Sequence, residues 1–334
     1  MATHKYYYEI EADSYTELGH RRGEVFGELL RRTLDGRRRY RDWNGVVQRA
    51  ANYLAPAKDA FPQYVDELRA FAESSRTRFD ELWALSLEDE VTDDNYERCT
   101  TIVTNHGALV AHIEDWDEDT EDLICVLRKR VGDLRTLELY YLNTLGGNSI
   151  SINSNGYIHA INSLTHTDSQ IGVPKNFVAR WFSETKSPDD DFEKLQKLKR
   201  ASGYHHTLVS LDGRIWSIEC SATRQVLTRP QAPFIHTNHF VTELKQFEGR
   251  KDKLVPGTRT RLRSAERHVD EMMTFDDVEG VVSDTSEGGE RSVFNERTIA
   301  RMIVDVRRMQ ANVWMLREES NGWLNYDLRP LYKR

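Results

Sequence analysis

Apolar residues recur at helical intervals from the N-terminus to about residue 92. Ser14 and Glu17 have the spacing of a capping box, which marks the start of a helix. The apolar stripe predicted behind this start consists of Leu18, Val25, Phe26, Leu29 and Thr33. Two further helices are predicted, one over residues 64–73 after Pro62 and one over residues 80–90. The first part of the chain is therefore predicted to be helical.

Three glycines, Gly19, Gly23 and Gly27, lie on one face of the first predicted helix. A glycine inside a helix costs roughly 1 kcal/mol relative to alanine. Three in register therefore favour a face that packs closely against another part of the backbone, although the spacing of the glycines could also arise by chance.

The pattern changes after residue 99 to short β-rich runs separated by Gly, Asn and Asp, as in a β-meander. Helical patterns interrupt these runs at residues 191–200 and between residues 258 and 282. The predicted strands cover residues 100–105, 108–113, 123–128, 134–142, 149–153, 158–162, 207–210, 215–219, 225–228, 299–306 and 311–316. This order of elements predicts an α+β fold, a sandwich of antiparallel sheets covered by helices.

Composition and charge narrow the class of protein. The 334 residues are 39% hydrophobic and 30% charged, which is ordinary for a folded soluble protein, and the net charge is −8. This sign argues against nucleic acid or an anionic membrane as a partner, because both require a concentrated basic surface. The N-terminus lacks the pattern of a signal peptide, so we expect a cytoplasmic protein. We expect no cofactor and no metal. The sequence leaves open whether the protein forms a homo-oligomer.

The three cysteines are far apart and lack the spacing of a metal or disulfide motif. Cys125 and Cys220 have apolar neighbours typical of buried strands, whereas Cys99 stands in polar sequence. Cleavage of the Arg98–Cys99 bond would give Cys99 a free α-amino group, whose usual pKa of about 7.7 to 8.0 suits a general base. One residue would then supply both nucleophile and base. A structural thiol is the simpler interpretation of the same residue.

Several short motifs, taken in order, resemble the acyl-coenzyme A:6-aminopenicillanic acid acyltransferase-like family of N-terminal-nucleophile hydrolases. The resemblance covers most of the chain, and its specificity comes from order and spacing rather than from any single motif. The segments that carry it are 17–19 with Gly23, 61–62, 67–68, 79–85, 99–101, 107–109, 115–117, 153–156, 162–164, 172–174, Glu219 and 237–240.

The resemblance implies an αββα sandwich of two antiparallel sheets covered by helices, self-cleavage in front of Cys99, and hydrolysis or transfer of an acyl group from an amide or thioester. Of these reactions we favour hydrolysis of an amide through a Cys99 acyl-enzyme. Residues 1–98, here called the leader, would become a separate helical chain, and residues 99–334 would form the catalytic portion of the same globular unit. Matching positions make Asp117 a contact of the freed amino group and Asn238 a donor to the oxyanion. The positions expected to bind substrate or support the site are Thr100, Thr101, Asp115, Asn162, His239 and Arg291.

The chain departs from the family pattern at three places. Arg98 stands where relatives have a small residue, and Asp115 stands where many have Asn. Residues 292–295 lack the arginine expected there, which is either absent or displaced to Arg291 or Arg297. These departures keep open a non-catalytic binding or scaffold relative that is never cut.

The type of reaction and the substrate are also open at the level of sequence. An acyltransferase would resolve the same acyl-enzyme with an amine, and a thiol hydrolase with a histidine base would be active without being cut. His205 and His206 point to opposite faces of a predicted strand and therefore cannot bind the same metal ion. The substrate is expected to be a small amide. A run of acidic residues is most simply a solvated loop, but at the rim of a pocket it could concentrate substrates that bear an amine. It comprises Glu114, Asp115, Asp117, Glu118, Asp119, Glu121 and Asp122.

Overall fold

Fourteen β-strands form two sheets in the computed structural model, which describes residues 4–92, 98–116, 118–249 and 255–333. The strands are β1 (Tyr7–Ala12), β2 (Arg98–Thr104), β3 (Leu109–Asp115), β4 (Ile124–Val131), β5 (Leu134–Tyr141), β6 (Ile150–Asn153), β7 (Tyr157–Ser163), β8 (Tyr204–Ser210), β9 (Ile215–Cys220), β10 (Gln225–Thr228), β11 (Phe234–His236), β12 (Thr298–Asp305), β13 (Gln310–Met315) and β14 (Leu324–Asp327). Of these strands, β1, β11 and β14 had not been predicted from the sequence.

The helices occupy the leader and two later segments. They are α1 (Tyr15–Arg37), α2 (Trp43–Ala50), α3 (Leu54–Ala60), α4 (Pro62–Ser74), α5 (Phe79–Ser86), α6 (Glu88–Val91), α7 (Lys175–Ser183), α8 (Pro188–Leu195), α9 (Val255–His268) and α10 (Phe275–Val281). Ser14 caps α1 by accepting a hydrogen bond from the Glu17 N–H, as the sequence predicted. Within the described ranges, none of the helices is long and apolar enough to cross a bilayer.

The two sheets have different sizes. The eight-stranded sheet has the order β1-β4-β5-β6-β7-β8-β9-β10, and the six-stranded sheet has the order β11-β2-β3-β12-β13-β14. Neighbouring strands are antiparallel in both sheets except for β1, which pairs with β4 in parallel. The leader therefore contributes an edge strand to a sheet that is otherwise built from the catalytic portion.

Three apolar cores separate four layers. The central core lies between the sheets and joins residues such as Val103 and Met302 to Leu137 and Ile158. A second core lies between the outer face of the eight-stranded sheet and the leader helices with α7. A third joins the outer face of the six-stranded sheet to α9 and α10. This arrangement confirms the αββα sandwich predicted from the sequence.

The glycine face of α1 packs against α4, as expected. A Cβ atom added at Gly19 would lie 2.1 Å from the backbone oxygen of Glu67, and one at Gly23 would lie 2.4 Å from the Cβ of Ser74. The predicted apolar stripe needs correction, because Val25 is exposed and the buried side chains below the glycines include Arg22 and Leu30. Contact between the two backbones therefore determines which face of α1 is buried.

A buried ionic cluster joins the leader to the rest of the chain. Arg22 Nη1 lies 2.7 Å from Glu67 Oε1, and Arg180 Nη2 of α7 lies 3.5 Å from Glu67 Oε2. Arg180 Nε also lies 2.7 Å from Glu184 Oε1. The Arg22, Glu67 and Arg180 side chains are at most 1% exposed. Leader and catalytic portion thus share charges that water does not reach.

Candidate active site

Cys99 is the second residue of β2 and is 2% exposed. Antiparallel pairing sets Cys99 opposite Glu114 and Thr101 opposite His112 on β3. Directly paired residues share a face of the sheet, and this face points towards the eight-stranded sheet. The candidate nucleophile therefore lies inside the sandwich rather than on its surface.

Both backbone groups of Cys99 are held by side chains from distant segments. Its N–H donates to Asn238 Oδ1 at 2.8 Å, and its carbonyl oxygen accepts from Arg261 Nη1 at 2.9 Å. Asn238 follows β11, and its Nδ2 donates to the Ser163 carbonyl oxygen at 3.0 Å. In the continuous chain, Asn238 thus binds the nitrogen of Cys99, while the amide hydrogens that an oxyanion would need face Ser163.

Arg261 links Cys99 to Asn238 and Asp115. It donates to Thr100 Oγ1 and to Asn238 Oδ1, both at 2.8 Å, and its Nη1 lies 3.7 Å from Asp115 Oδ2. Burial lowers the pKa of Arg261, and Asp115 opposes this shift. Burial raises the pKa of Asp115, which Arg261 and a 2.7 Å hydrogen bond from Thr298 oppose. The two charges stabilise each other where neither is solvated.

Sequence reasoning missed Arg261. It was one of several arginines in a helix with little apolar character. The arginine of the family pattern was expected at Arg291 or Arg297 instead. The available signal was spacing, because Thr258, Arg261 and Ala265 form a buried stripe along α9. Arg291 is exposed and Arg297 pairs with Glu290 at 3.6 Å, so the arginine in contact with Cys99 is Arg261.

The Cys99 thiol faces a carboxylate. Its Sγ lies 3.9 Å from Glu114 Oε2, which also accepts a 2.9 Å hydrogen bond from the Tyr141 hydroxyl. The other oxygen, Glu114 Oε1, lies 2.7 Å from His112 Nε2. Glu114 and Asp115 are 2% and 0% exposed, so these two members of the acidic run belong to the protein interior. The sequence had allowed for a solvated acidic loop.

Polar contacts continue from His112 across the space between the sheets. His112 Nδ1 lies 2.9 Å from Thr101 Oγ1, and Thr101 donates to Asn162 Oδ1 at 3.0 Å. His205 Nδ1 lies 3.2 Å from the same Asn162 oxygen. The His205 ring stacks on His236 with 3.4 Å between centroids, and burial holds the pKa of His205 well below its usual value. His206 points to the other face, where it contacts His159, as the strand geometry required.

The remaining predicted residues differ in their relation to this group. Asp117 lies outside the described residues. His239 is 5% exposed and its Nδ1 lies 3.2 Å from Thr258 Oγ1; burial lowers its pKa to about 3. The Arg98 side chain forms an ion pair with Glu290. Thr100, Thr101, Asp115 and Asn162 all contact residues of the Cys99 group.

A narrow cleft opens beside this group, with Tyr141 in its wall. Trp116 and Leu123 give it an apolar side, and side-chain amides give it a polar side. Arg37 and Glu88 of the leader form an ion pair of 2.8 Å at the cleft. The full lining comprises Arg37, Leu85, Ser86, Glu88, Trp116, Thr120, Leu123, Tyr141, Asn143, Thr144, Asn148 and Asn176. Segments on both sides of the Arg98–Cys99 bond therefore build one cleft.

Comparison with known proteins gives three kinds of match. The family model described as Acyl-coenzyme A:6-aminopenicillanic acid acyl-transferase matches residues 103–315. A curated relative, the beta-alanyl-dopamine/carcinine hydrolase of Drosophila melanogaster, is 27% identical over 167 residues. That match covers 43% of this chain and 43% of the relative, so it spans less than half of the relative's length.

Two solved structures resemble the chain at low identity. Penicillin V acylase from Agrobacterium tumefaciens is 12% identical with a TM-score of 0.42, over 65% of this chain and 83% of that one. The C2A mutant of conjugated bile acid hydrolase from Clostridium perfringens is 11% identical with a TM-score of 0.42, over 71% of this chain and 94% of that one.

Proposed function

The chain belongs to the acyl-coenzyme A:6-aminopenicillanic acid acyl-transferase family, and from this premise we propose that it is a self-activating amide hydrolase with Cys99 as nucleophile. One observation carries the proposal: three parts of Cys99 have separate partners. Asn238 binds its nitrogen, Arg261 binds its carbonyl oxygen, and Glu114 faces its sulfur. A buried structural thiol needs no carboxylate beside its sulfur, and the backbone groups of a strand are more often paired with other backbone groups than with side chains.

Self-cleavage would begin with loss of the thiol proton. The free α-amine does not exist until the Arg98–Cys99 bond breaks, so this first proton needs another acceptor. Glu114 Oε2, at 3.9 Å from Sγ, is the carboxylate oxygen that supports this role. The thiolate then attacks the Arg98 carbonyl carbon, the C–N bond breaks, and the Cys99 nitrogen takes up the proton. Water hydrolyses the resulting thioester and releases the leader's carboxylate.

After the cut, the same nitrogen is an amine and becomes the base. It takes the Sγ proton while the thiolate attacks the substrate's amide carbon, and it returns the proton to the leaving amine. Water then resolves the acyl-enzyme. We propose Asn238 as the anchor of this nitrogen, because its Oδ1 already accepts from it. An acyltransferase would differ only in the last step, where an amine replaces water.

The carboxylate assigned to the freed amine from sequence was Asp117. Asp115 is the neighbouring carboxylate within the described residues; it lies opposite Arg98 in the β2–β3 register and contacts Arg261. We propose that Asp115 stabilises Arg261 and thereby the Cys99 carbonyl, as a positioning residue. Its contact with Thr298 fixes the second oxygen of the carboxylate.

The lining of the cleft beside Tyr141 is complementary to a small amide with an aromatic or apolar end and a polar end. Trp116 offers a surface for stacking, and Glu88 with Arg37 offers paired charges. The curated relative is named for beta-alanyl-dopamine and carcinine. We propose that this chain cleaves small amides of the same chemical kind, with an amine at one end.

Gel analysis with N-terminal sequencing tests self-cleavage. The purified protein should give fragments of 98 and 236 residues, the second beginning with Cys99, since 334 − 98 = 236. Cys99→Ala should stay at full length and be inactive, whereas Cys220→Ser, which changes another buried thiol, should be cut and active. An uncut, inactive wild type that resembles Cys99→Ala in every assay would refute the proposal and leave the binding or scaffold relative.

Substrate class is tested by release of the amine from carcinine, beta-alanyl-dopamine, their N-acetylated forms and penicillin V. We expect turnover of the first two and loss of turnover when the terminal amine is acetylated. Equal rates for free and acetylated forms would contradict the preference for an amine. Changing Glu118, Asp119 and Glu121 together to their amides tests the contribution of the acidic run.

The contact between His112 and Glu114 favours a second candidate, an uncut thiol hydrolase. His112 Nε2 lies 2.7 Å from Glu114 Oε1, so the imidazole stabilises the carboxylate that would take the Sγ proton, and no free α-amine is needed. This candidate predicts an active chain of full length. The same gel, run on a sample with measured turnover, distinguishes the two.

A further inference from the structure

Three potential metal ligands converge at the nucleophile. Cys99 Sγ, an imidazole nitrogen of His112 and a carboxylate oxygen of Glu114 all lie within 4.8 Å of one another. The three residues are at most 2% exposed and come from two adjacent strands. Rigid, paired strands fix such a set more firmly than loops would.

The hydrogen bonds around His112 leave Nε2 as the nitrogen that faces the other two donors. The Thr101 hydroxyl donates to Asn162 Oδ1, so its oxygen is available to accept a proton from His112 Nδ1. Metal-binding histidines usually have their second nitrogen held in this way. The Tyr141 hydroxyl likewise donates to Glu114 Oε2 and orients the carboxylate. The outer contacts that a metal site requires are therefore already made.

Protons now occupy the place that a cation would take. With Nδ1 donating to Thr101, the 2.7 Å contact between His112 Nε2 and Glu114 Oε1 requires a proton between the two atoms. A second proton belongs to the Cys99 thiol. A divalent cation that displaced both would leave the total charge of the site unchanged, and it would satisfy thiolate, imidazole and carboxylate together.

We propose that Cys99, His112 and Glu114 bind a thiol-avid divalent cation of the Zn²⁺ class. The bound cation coordinates the Cys99 thiolate and so blocks the nucleophile. The ion exchanges with the thiol proton and the His112–Glu114 proton, and water completes the coordination. Sulfur and imidazole ligands favour Zn²⁺ over Mg²⁺ or Ca²⁺. Bond lengths of about 2.0 to 2.3 Å put tetrahedral ligands roughly 3.3 to 3.6 Å apart, close to the 3.9 Å between Sγ and Glu114 Oε2.

The consequence for activity rests on the proposed function. A thiolate bound to the ion cannot attack the Arg98 carbonyl or a substrate, so zinc should inhibit both self-cleavage and turnover. Ion binding itself needs only the three side chains. It can therefore be measured independently of any reaction.

Cobalt titration of the purified full-length gene product, after treatment with a chelator, tests binding directly. We expect about one Co²⁺ per chain, a sulfur-to-cobalt charge-transfer absorption, and release of about two protons per ion in weak buffer. Cys99→Ser should abolish the absorption. Glu114→Gln should weaken binding by more than about tenfold, while Cys125→Ser and Cys220→Ser should retain it. Circular dichroism of each metal-free variant verifies folding.

The outcomes separate this inference from the proposed function. Absence of the cobalt absorption in the folded wild type, or an absorption that survives Cys99→Ser, overturns the metal site even if the chain is cut and hydrolyses amides. A Cys99-dependent cobalt spectrum in a chain that is never cut and turns nothing over supports the site and refutes the proposed function. If the chain both binds the metal and hydrolyses amides, saturating Zn²⁺ should slow turnover at least tenfold, and a chelator should restore it.

Discussion

The buried ionic cluster between leader and catalytic portion gives a stability prediction whose size follows from its charges. Arg22 and Arg180 face Glu67 and Glu184, so the positive and negative charges are equal in number. Glu67→Gln keeps the shape of the side chain and leaves one uncompensated positive charge in the interior. Breaking a buried pair in this way costs about 3 to 5 kcal/mol, or roughly a hundredfold to several thousandfold in the ratio of folded to unfolded protein.

Urea unfolding followed by tryptophan fluorescence measures this loss, since Trp83 is buried beneath the leader helices. A double variant, Arg22→Met with Glu67→Leu, removes both partners and fills their volume with apolar groups. It should be more stable than Glu67→Gln, because no charge is left without a partner. Glu24→Gln is the matched control on α1, where the pair with Arg21 is 59% and 52% exposed and contributes at most about 1 kcal/mol.

Two results would refute this reasoning. The first is a Glu67→Gln protein whose free energy of unfolding lies within about 1 kcal/mol of wild type. The second is a double variant as unstable as the single one. Either would mean that the cluster is hydrated or relaxes easily, and that apolar packing alone holds the leader to the sheet.

Three further predictions follow from other sites. Gly19→Ala forces a Cβ to within 2.1 Å of the Glu67 backbone oxygen and should cost about 1 to 3 kcal/mol or more in thermal unfolding; Gly36→Ala on the same helix meets nothing within 4 Å and should be neutral or stabilising. Burial lowers the pKa of His159 to about 3, so below about pH 6.5 the unfolded chain binds more protons than the folded chain. The free energy of unfolding should therefore fall by up to about 1.4 kcal/mol for each unit by which the pH is lowered. His159→Phe should flatten this dependence in urea titrations between about pH 7 and pH 5, and an unchanged slope would contradict it. Arg261→Met should prevent cutting on a denaturing gel, and full cutting would show that the Cys99 carbonyl needs no cation.

The sequence predicted those parts of the fold that local pattern determines. The helix start at Ser14 and most strands after residue 99 were correctly identified, because an N-cap and a β-rich run between turn residues are set by neighbours in the chain. The capping box itself is not closed, since the Glu17 carboxylate accepts from the Asp13 N–H instead of the Ser14 N–H. Strand β1 (Tyr7–Ala12) was missed, since it is stable only beside β4, more than one hundred residues away. Val25 was assigned to the core because hydrophobicity alone does not reveal which face the glycines bury.

The residues of the candidate site were likewise predicted only in part. The polar context of Cys99 and the segments around Asn162 and Asn238 could be recognised, and all three lie in one connected polar group. Arg261 was missed, because its spacing with Thr258 and Ala265 indicates a buried face of α9 but not that this face covers the end of β2. Glu114 resembled part of an acidic loop until the strand register set it opposite Cys99. Side chains that act across the sheet are determined by tertiary pairing.

The partners of Cys99 are far apart along the chain, and this spacing has a consequence during synthesis. Glu114, Asn238 and Arg261 are translated after the thiol that they contact, the last of them 162 residues later. A nascent chain on the ribosome therefore carries an unorganised cysteine until residue 261 has been added. Any reaction that depends on these contacts must wait until Arg261 has been translated, and a product truncated before that residue cannot carry it out.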